Sequence, residues 1–576
     1  MNNSLYHGKI TPSFFSKIQE TFTFYKEHKR FYDTRIIENN NWYKSRYADV
    51  SGNQIPSPTT PYLFNVIANK HADAMDNYPE PNILEREKRD QTMAEKFTKI
   101  LPLQLELCGF KRTYSRAWWY KLKNGASCYG IFFNPALNHG LGEIDIKKID
   151  LLNLFWEPGI TNIQDSSFVF LTTLVDNDQL RMDYPDCSNS FAGNATIDIT
   201  SYNDMQNTVG TDRFKNKTLV VDCYYKDFNK PTPTLEMVKF SNGTILDATV
   251  DNGEKGLYDH GMYPFVFDVM YPDEDSPVGF GLVDIIKNPQ LYIDKLDSLI
   301  SKNALISGKT RYMIKDNGGL NEMELTDLSK DIIHVAGTVG EENIRELQAK
   351  PLHPFIVQHR QNKINELKEV SGNRDFQQGD TNGGVTAASA ITALQQAGEK
   401  LARDMISESY EAYKDIIYLC LELMRQFYDE PRPYRIDSDT GNSEYISFSN
   451  RDIKSDAHHR AEFDVVVSAE KNNPYSRISQ NQTLLDLWKI GAFKSDSIDQ
   501  SILLLESMHI DKKEKLIEGL RALKETREKE AQKQAAMASQ MQNSSGASPS
   551  GNNIQANATQ GGTKPPQKVS ATAPNA

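Results

Sequence analysis

Residues 371–427 read SGNRDFQQGDTNGGVTAASAITALQQAGEKLARDMISESYEAYKDIIYLCLELMRQF. The first part, Ser371 to Thr386, carries Gly372, Gly379, Gly383 and Gly384 and almost no apolar side chain, so it cannot pack a core of its own. The rest keeps one apolar stripe through Ala387, Ile391, Leu394, Leu401, Met405, Ala412, Ile416, Cys420, Leu423 and Phe427. Steps of three, four or seven residues predict a single long helix. At 1.5 Å per residue it reaches about 60 Å, more than one domain core needs. A polar loop on the end of a long strut suits a part presented to something large.

The chain has 576 residues, which predicts more than one domain or one domain with large insertions. It is 39% hydrophobic and 25% charged, enough apolar material for a sizeable core. The net charge of −12 argues against a chain that coats nucleic acid with a basic surface, yet allows one that lets nucleic acid pass. Cys108, Cys128, Cys187, Cys223 and Cys420 are scattered and form no CxxC pair. That pattern predicts reduced, packed thiols and neither a disulfide framework nor a zinc site. The N-terminal MNNSLYHGKITPSFF lacks the apolar run of a secretion signal, and no apolar run approaches the length of a membrane span. The expectation is folding in a cytoplasm.

Helical spacing predicts helices over 13–50, over 62–77, and from Asp90 through Leu107 on to Leu122. The period then shortens. Strands are expected at 126–133, 142–149, 167–175, 219–225, 234–240 and 243–247, with an irregular insertion at 176–218. Helix returns after Gly279, with Asn288-Pro289 as a cap pair and Gly308 as a left-handed stop. Residues 309–353 read as short strands (311–314 and 332–335), and Pro354 opens another helix to Val370. After the long helix, strands are expected at 434–436, 445–448 and 463–468, then two or three helices over 474–534. The segment from Ala535 to Ala576 is rich in Ala, Ser, Gly, Asn, Gln and Pro and is expected to be a disordered tail.

Motifs that could carry catalysis fail on inspection. Asn303–Thr310 (NALISGKT) is one glycine short of a phosphate-binding loop and ends a helix where such a loop begins one. Gly279-Phe-Gly281 lacks the third glycine of a dinucleotide fingerprint. His458-His459, near Asp452 and Asp456, lacks a spacing that gathers metal ligands. Trp118-Trp119-Tyr120 reads as a packed helix face. No GxSxG or HExxH occurs. The expectation is a protein that is not an enzyme, with no catalytic residue, no metal site and no cofactor.

The order of elements is the stronger signal. A mixed body leads to a helix, a short strand-rich insertion, a second helix, a polar loop, a very long helix, return strands and a helical end. This resembles the portal protein family (head–tail connectors) of tailed bacteriophages. Four local stretches support the resemblance: Gly383–Ile391 (GGVTAASAI), Pro277–Gly281 (PVGFG) running into Leu282–Leu305, Pro61–Asn69 (PYLFNVIAN) and Leu151–Gly159 (LLNLFWEPG). The resemblance covers about residues 10–530.

It implies an α+β fold with an α/β wing (1–280 with 429–471), stem helices at 281–308 and 354–370, and a clip at 309–353. A tunnel loop follows at 371–385, a long wing helix at 386–428, a crown at 472–534 and the tail at 535–576. It further implies a twelve-fold ring at one capsid vertex of the virion, assembled in the host cytoplasm. Double-stranded DNA would pass through the ring. The partners would be the major capsid protein, terminase and neck or adaptor proteins, with no membrane. The tunnel-loop residues expected at DNA are Arg374, Asp375, Gln377, Gln378, Asp380 and Asn382. On the first stem helix, Lys287, Lys295 and Lys302 are expected to face the channel. Two rival readings are a nucleotide-hydrolysing packaging motor resting on Ser307–Thr310, and another virion adaptor protein.

Overall fold

The computed structural model describes residues 10–45, 60–191, 216–227, 234–252, 256–308, 311–314, 344–347, 352–372, 400–437, 443–453, 461–469, 474–490, 498–508 and 513–544. The chain divides into two compact units, Met1–Arg477 and Ile478–Ala576.

The first unit opens with α1 (Pro12–Tyr43). Pro12 stands where a missing N–H costs nothing, and the Thr11 hydroxyl accepts from the Phe14 amide at 3.3 Å. Next come α2 (Tyr62–Asp76), β1 (Pro79–Glu85), α3 (Gln91–Leu107) and α4 (Phe110–Asn124). The helical pattern continues across 90–122, yet the chain turns at Gly109, whose φ of 65° ends α3. Strands β2 (Ala126–Asn134), β3 (Glu143–Ile149), β4 (Leu154–Phe155) and β5 (Phe168–Asp176) follow. The expected irregular insertion contains α5 (Asn177–Asp183) and a short 3-10 stretch at Pro185–Phe191. Then come β6 (Lys217–Asp227), β7 (Thr234–Ser241), β8 (Thr244–Ala248), β9 (Phe265–Val269), β10 (Tyr271–Asp273) and β11 (Ser276–Phe280).

The second half of this unit contains α6 (Leu282–Ser307), β12 (Arg311–Ile314), β13 (Ile344–Leu347), α7 (Pro354–Val370) and α8 (Lys400–Phe427). It ends with β14 (Arg432–Asp437), β15 (Ser443–Phe448), α9 (Asn450–Ile453) and β16 (Phe463–Ala469). The last helix to begin in it is α10 (Pro474–Lys489).

The fold is α+β, as expected. Every strand pairing among the described residues is antiparallel. The wing expectation of an α/β arrangement is therefore corrected, because parallel strands joined by crossover helices do not occur among them. One sheet runs β4-β5-β6-β7-β8 and another β3-β2-β9, with the pairs β1-β16, β10-β11, β12-β13 and β14-β15. The first half of α1 covers the five-stranded sheet. Phe15, Ile18 and Tyr25 are buried there with Phe170, Val221, Cys223 and Phe240, and Phe22 meets the rings of Phe155 and Phe170 at 5.2 Å.

The larger core surrounds α4, β2 and α8. The expected stripe is buried at Met405, Ala412, Ile416, Cys420 and Leu423. The helix is not one-sided, however. Leu419 to Met424 are all buried, so its C-terminal half threads the core rather than lying on it. Inside that core Lys121 Nζ donates to Asp268 Oδ1 at 2.6 Å, Ser409 Oγ at 2.6 Å and the Met405 carbonyl at 3.2 Å. The Ser409 hydroxyl also lies 2.9 Å from the Asp268 carboxylate. Lys121, Asp268 and Ser409 come from α4, β9 and α8, and all three are at most 1% exposed. The five thiols are free, and all but Cys108 are buried.

In the second unit, α11 (Ile498–Ser507) packs on α12 (Lys513–Ser544). Leu504, Met508 and Ile517 are buried, and Lys524 pairs with Asp499 at 2.7 Å. Helix α12 runs to Ser544, past the expected start of the tail at Ala535. The Ala, Gln, Lys and Met of AQKQAAMASQMQ are strong helix formers, which composition alone disguised as low complexity.

Replacing Asp268 by Ala leaves the Lys121 ammonium buried without its counter-charge. It lowers stability by about 3–5 kcal/mol, read from the urea midpoint. The double change Lys121→Met with Asp268→Leu recovers most of that loss. An equal loss in single and double variants contradicts the pairing.

Candidate functional site

The passage from the body into α6 is a backbone crossing built on glycine. A Cβ on Gly279 would lie 1.7 Å from the Tyr271 carbonyl oxygen. Gly125, with φ of 92°, ends α4 directly against Gly279 and Phe280, and a Cβ on Gly281 would lie 2.7 Å from the Gly125 nitrogen. The Gly279-Phe-Gly281 sequence thus serves close packing of two chain segments, not a dinucleotide. Arg35 donates to the Gly279 carbonyl at 2.7 Å, and Asp284 accepts from the Gly281 amide at 3.0 Å. Asn39 donates to Asp284 at 3.1 Å and to the Lys123 carbonyl at 3.3 Å.

Helix α6 therefore begins at Leu282, not at the Asn288-Pro289 pair, and Pro289 lies inside it. The helix stop is also different from the expectation. Gly308 has φ −78° and ψ −10°, a right-handed conformation, and its amide still donates to the Ala304 carbonyl at 2.8 Å. Residues 303–307 belong to the last turns of α6, so those backbone groups are committed to helix and do not curl around a phosphate.

Helices α6 and α7 pack together. Ile293, Ile364 and Leu367 are buried, and Arg360 grips Asp297 with both arms of its guanidinium, the Nη2–Oδ2 bond at 3.0 Å. Gln290 ties α6 to the Thr60 carbonyl at 2.8 Å and donates to Asp294, one turn on in the same helix, at 3.0 Å. The outward face of α6 carries Tyr292, Leu299 and Ile306, all exposed and spaced by seven residues. Phe355 and Val357 are exposed on α7. Large exposed apolar side chains on one helix face mark a contact surface. The seven-residue spacing was the signal in the sequence that could have found it.

Helix α8 is held at its far end by a polar hub. Glu143 accepts from Gln104 at 2.8 Å, from Arg432 at 3.1 Å and from the Tyr428 hydroxyl. Arg432 lies 3.5 Å over the Tyr428 ring. Burial and the Glu143 carboxylate together push the Tyr428 hydroxyl far above its ordinary range.

The expected site residues divide cleanly. Arg374, Asp375, Gln377, Gln378, Asp380 and Asn382 lie outside the described residues, as do His458 and His459. Lys287 is half-buried and meets Glu38 at 3.5 Å. Lys295 is exposed beside the Tyr292 ring, 5.7 Å away, and Lys302 is exposed. Both share the outward face with the apolar stripe. Trp118 and Tyr120 are buried, and Trp119 stacks on His71 at 4.3 Å, the packed face the sequence suggested. Among the described residues no cluster of His, Cys, Asp and Glu could hold a metal ion, and no helix is long and apolar enough to cross a membrane.

Residues 280–565 match the model of the phage P22-like portal protein family. The match begins at the glycine crossing and takes in α6, α7, α8 and the helices of the second unit. The chain belongs to this portal family. No curated protein matches it. The chain is thus a phage portal protein, a structural component of the virion. Portals work as oligomeric rings with capsid and terminase partners in genome packaging.

The crossing can be tested directly. Gly279→Ala places a methyl group on a carbonyl oxygen and costs about 3 kcal/mol. Gly308→Ala, at a right-handed position, changes stability by no more than about 1 kcal/mol. Thermal unfolding of the two variants compares them, and the reverse ranking contradicts the geometry described.

Proposed function

We propose that this portal forms a twelve-fold ring whose channel carries double-stranded DNA during packaging and ejection. Helices α6 and α7 form the stem, and the β12-β13 strand pair belongs to the clip, where terminase and later the neck proteins dock. The segment 371–385 is the tunnel loop and α8 the helix behind it. The first part of the chain with β14–β16 is the wing, and α10–α12 form the crown. One observation carries the reading: α6 and α7 pack as a helical pair held by Arg360 and Asp297, with the antiparallel β12-β13 pairing in the chain between them.

The exposed stripe of Tyr292, Leu299 and Ile306 supports a ring, because a monomer leaves it in water. In the ring it lies against the neighbouring copy's stem. Lys295 and Lys302, beside that stripe and exposed, reach the channel rim, and Lys287, already near Glu38, contributes less. In the tunnel loop, Arg374, Gln377, Gln378 and Asn382 touch phosphates briefly, while Asp375 and Asp380 limit retention. Assembly takes place in the host cytoplasm, and the ring sits at one capsid vertex.

Two measurements test this. Native mass gives about 780 kDa, twelve times 65.3 kDa, and Leu299→Asp shifts the population towards smaller species. Deleting Asp375–Gly384 leaves rings intact but lowers the DNA packaged or retained per particle. If rings fail to form, that loop does not lie at the channel.

A further inference from the structure

The chain is acidic overall, yet one face of α4 is not. Arg112, Arg116, Trp119 and Lys123 recur at steps of four, three and four, so they share one side of the helix. Lys148 on β3 and Lys44 at the end of α1 come up beside them. Lys148 Nζ sits 4.0 Å over the Tyr120 ring, and Lys123 Nζ sits 4.9 Å over Tyr43 and 3.0 Å from Asn40 Oδ1. Tyr43 and His71 flank Trp119 at 6.2 and 4.3 Å, so an aromatic floor underlies the cations.

Several other cations of this unit, the most buried among them, have carboxylate partners: Lys29 with Asp33, Lys121 with Asp268, Arg360 with Asp297, Arg432 with Glu143. Among the described residues, Lys44, Arg112, Arg116, Lys123 and Lys148 have no ion pair. Instead Lys44, Arg116, Lys123 and Lys148 act on each other. Burial first, then Lys148 and Lys44, bring Lys123 down to about 8. Burial also lowers Lys148, and Arg116 adds to that. One carboxylate, Asp150, opposes them, but it already accepts from the Tyr120 hydroxyl at 3.0 Å and the Leu152 amide at 3.1 Å. Like charges gathered without a partner destabilise the free protein, and a bound polyanion removes that cost.

We propose that Lys44, Arg112, Arg116, Lys123 and Lys148 form a phosphate-binding site for the backbone of double-stranded DNA, separate from the tunnel loop. The row from Arg112 to Lys123 extends about 16 Å along the helix, too long for a single ion. Duplex DNA presents one negative charge per roughly 1.7 Å of its axis, which such a row can follow. The two arginines at the outer end offer forks suited to phosphate oxygens. The choice of DNA over an acidic polypeptide rests on the portal function; the site itself rests on the geometry. The aromatic floor fixes Lys123 and Lys148 without neutralising them, so their charge stays available.

The test uses the assembled full-length protein and a fluorescein-labelled duplex of about 30 base pairs, with anisotropy read across a salt series. Arg116→Gln with Lys148→Gln weakens binding about ten-fold and lowers the slope of log K against log salt by about two. Lys17→Glu with Arg30→Glu, on the outer face of α1, leaves the slope unchanged. Equal losses in both variants, or no loss in the first, overturn the site. Polyglutamate displacing the duplex at matched charge overturns the choice of DNA. Native mass keeps the two readings apart. Rings that persist in Arg116→Gln/Lys148→Gln while DNA binding falls support the site, and rings that break up make the patch a subunit contact and overturn it.

Discussion

The buried meeting of Lys121, Asp268 and Ser409 is the constraint on which the first unit depends. Helix α8 is apolar on nearly every side between Leu419 and Met424, so packing alone would hold it in several rotations. Hydrophobic contact is non-directional and tolerates sliding. Three polar groups from α4, β9 and α8 tolerate little, because each leaves a buried charge or hydroxyl unsatisfied if it moves. The cluster therefore contributes position more than net stability. The Glu143 hub does the same at the other end of the helix, through Tyr428 and Arg432. The helix is thus fixed in rotation near Ser409 and at its C-terminal end.

The helices were legible in the sequence because their signals are local. α1, α2, α6, α7 and the described part of α8 follow apolar spacing, and Thr11, Pro12 and Pro354 mark their starts. What escaped depended on distant partners. β1 contains Pro79 and Pro81, which a strand tolerates at a sheet edge, and its partner β16 lies hundreds of residues away. β9 is five residues long, hidden between segments rich in Pro, Gly and Asp, and becomes a strand by pairing with β2. Gly279 and Gly281 look like a broken nucleotide motif until Gly125 is seen against them. The α4 cations were equally invisible. Lys44, Arg116 and Lys148 are far apart in the chain, and only the packing of α1, α4 and β3 unites them.

The family relation became legible through order rather than motif. A short stretch such as PVGFG before α6 is compatible with many folds. The succession of helix, antiparallel strand pair, helix and long helix is compatible with few, and the family match begins where that succession begins. The strands before residue 280 precede the match, and their antiparallel sheets rest on the pairings themselves without reference to any relative.

Charge binds these observations together. A net charge of −12 keeps an assembly from gripping DNA along its whole surface, where every neutralised phosphate adds affinity and friction. The same acidity makes a local gathering of five cations conspicuous, since carboxylates are plentiful in the chain and yet Asp150 alone opposes Lys123 and Lys148. In this unit fully buried cations such as Lys29 and Lys121 are matched by Asp33 and Asp268, so pairing is the rule where the fold needs it. The α4 face departs from that rule at the surface, where a partner outside the chain can complete it. Repeated around a ring, one weak anion site becomes many in register. Modest affinity at each is then enough to hold a duplex near the α4 face while leaving it free to move.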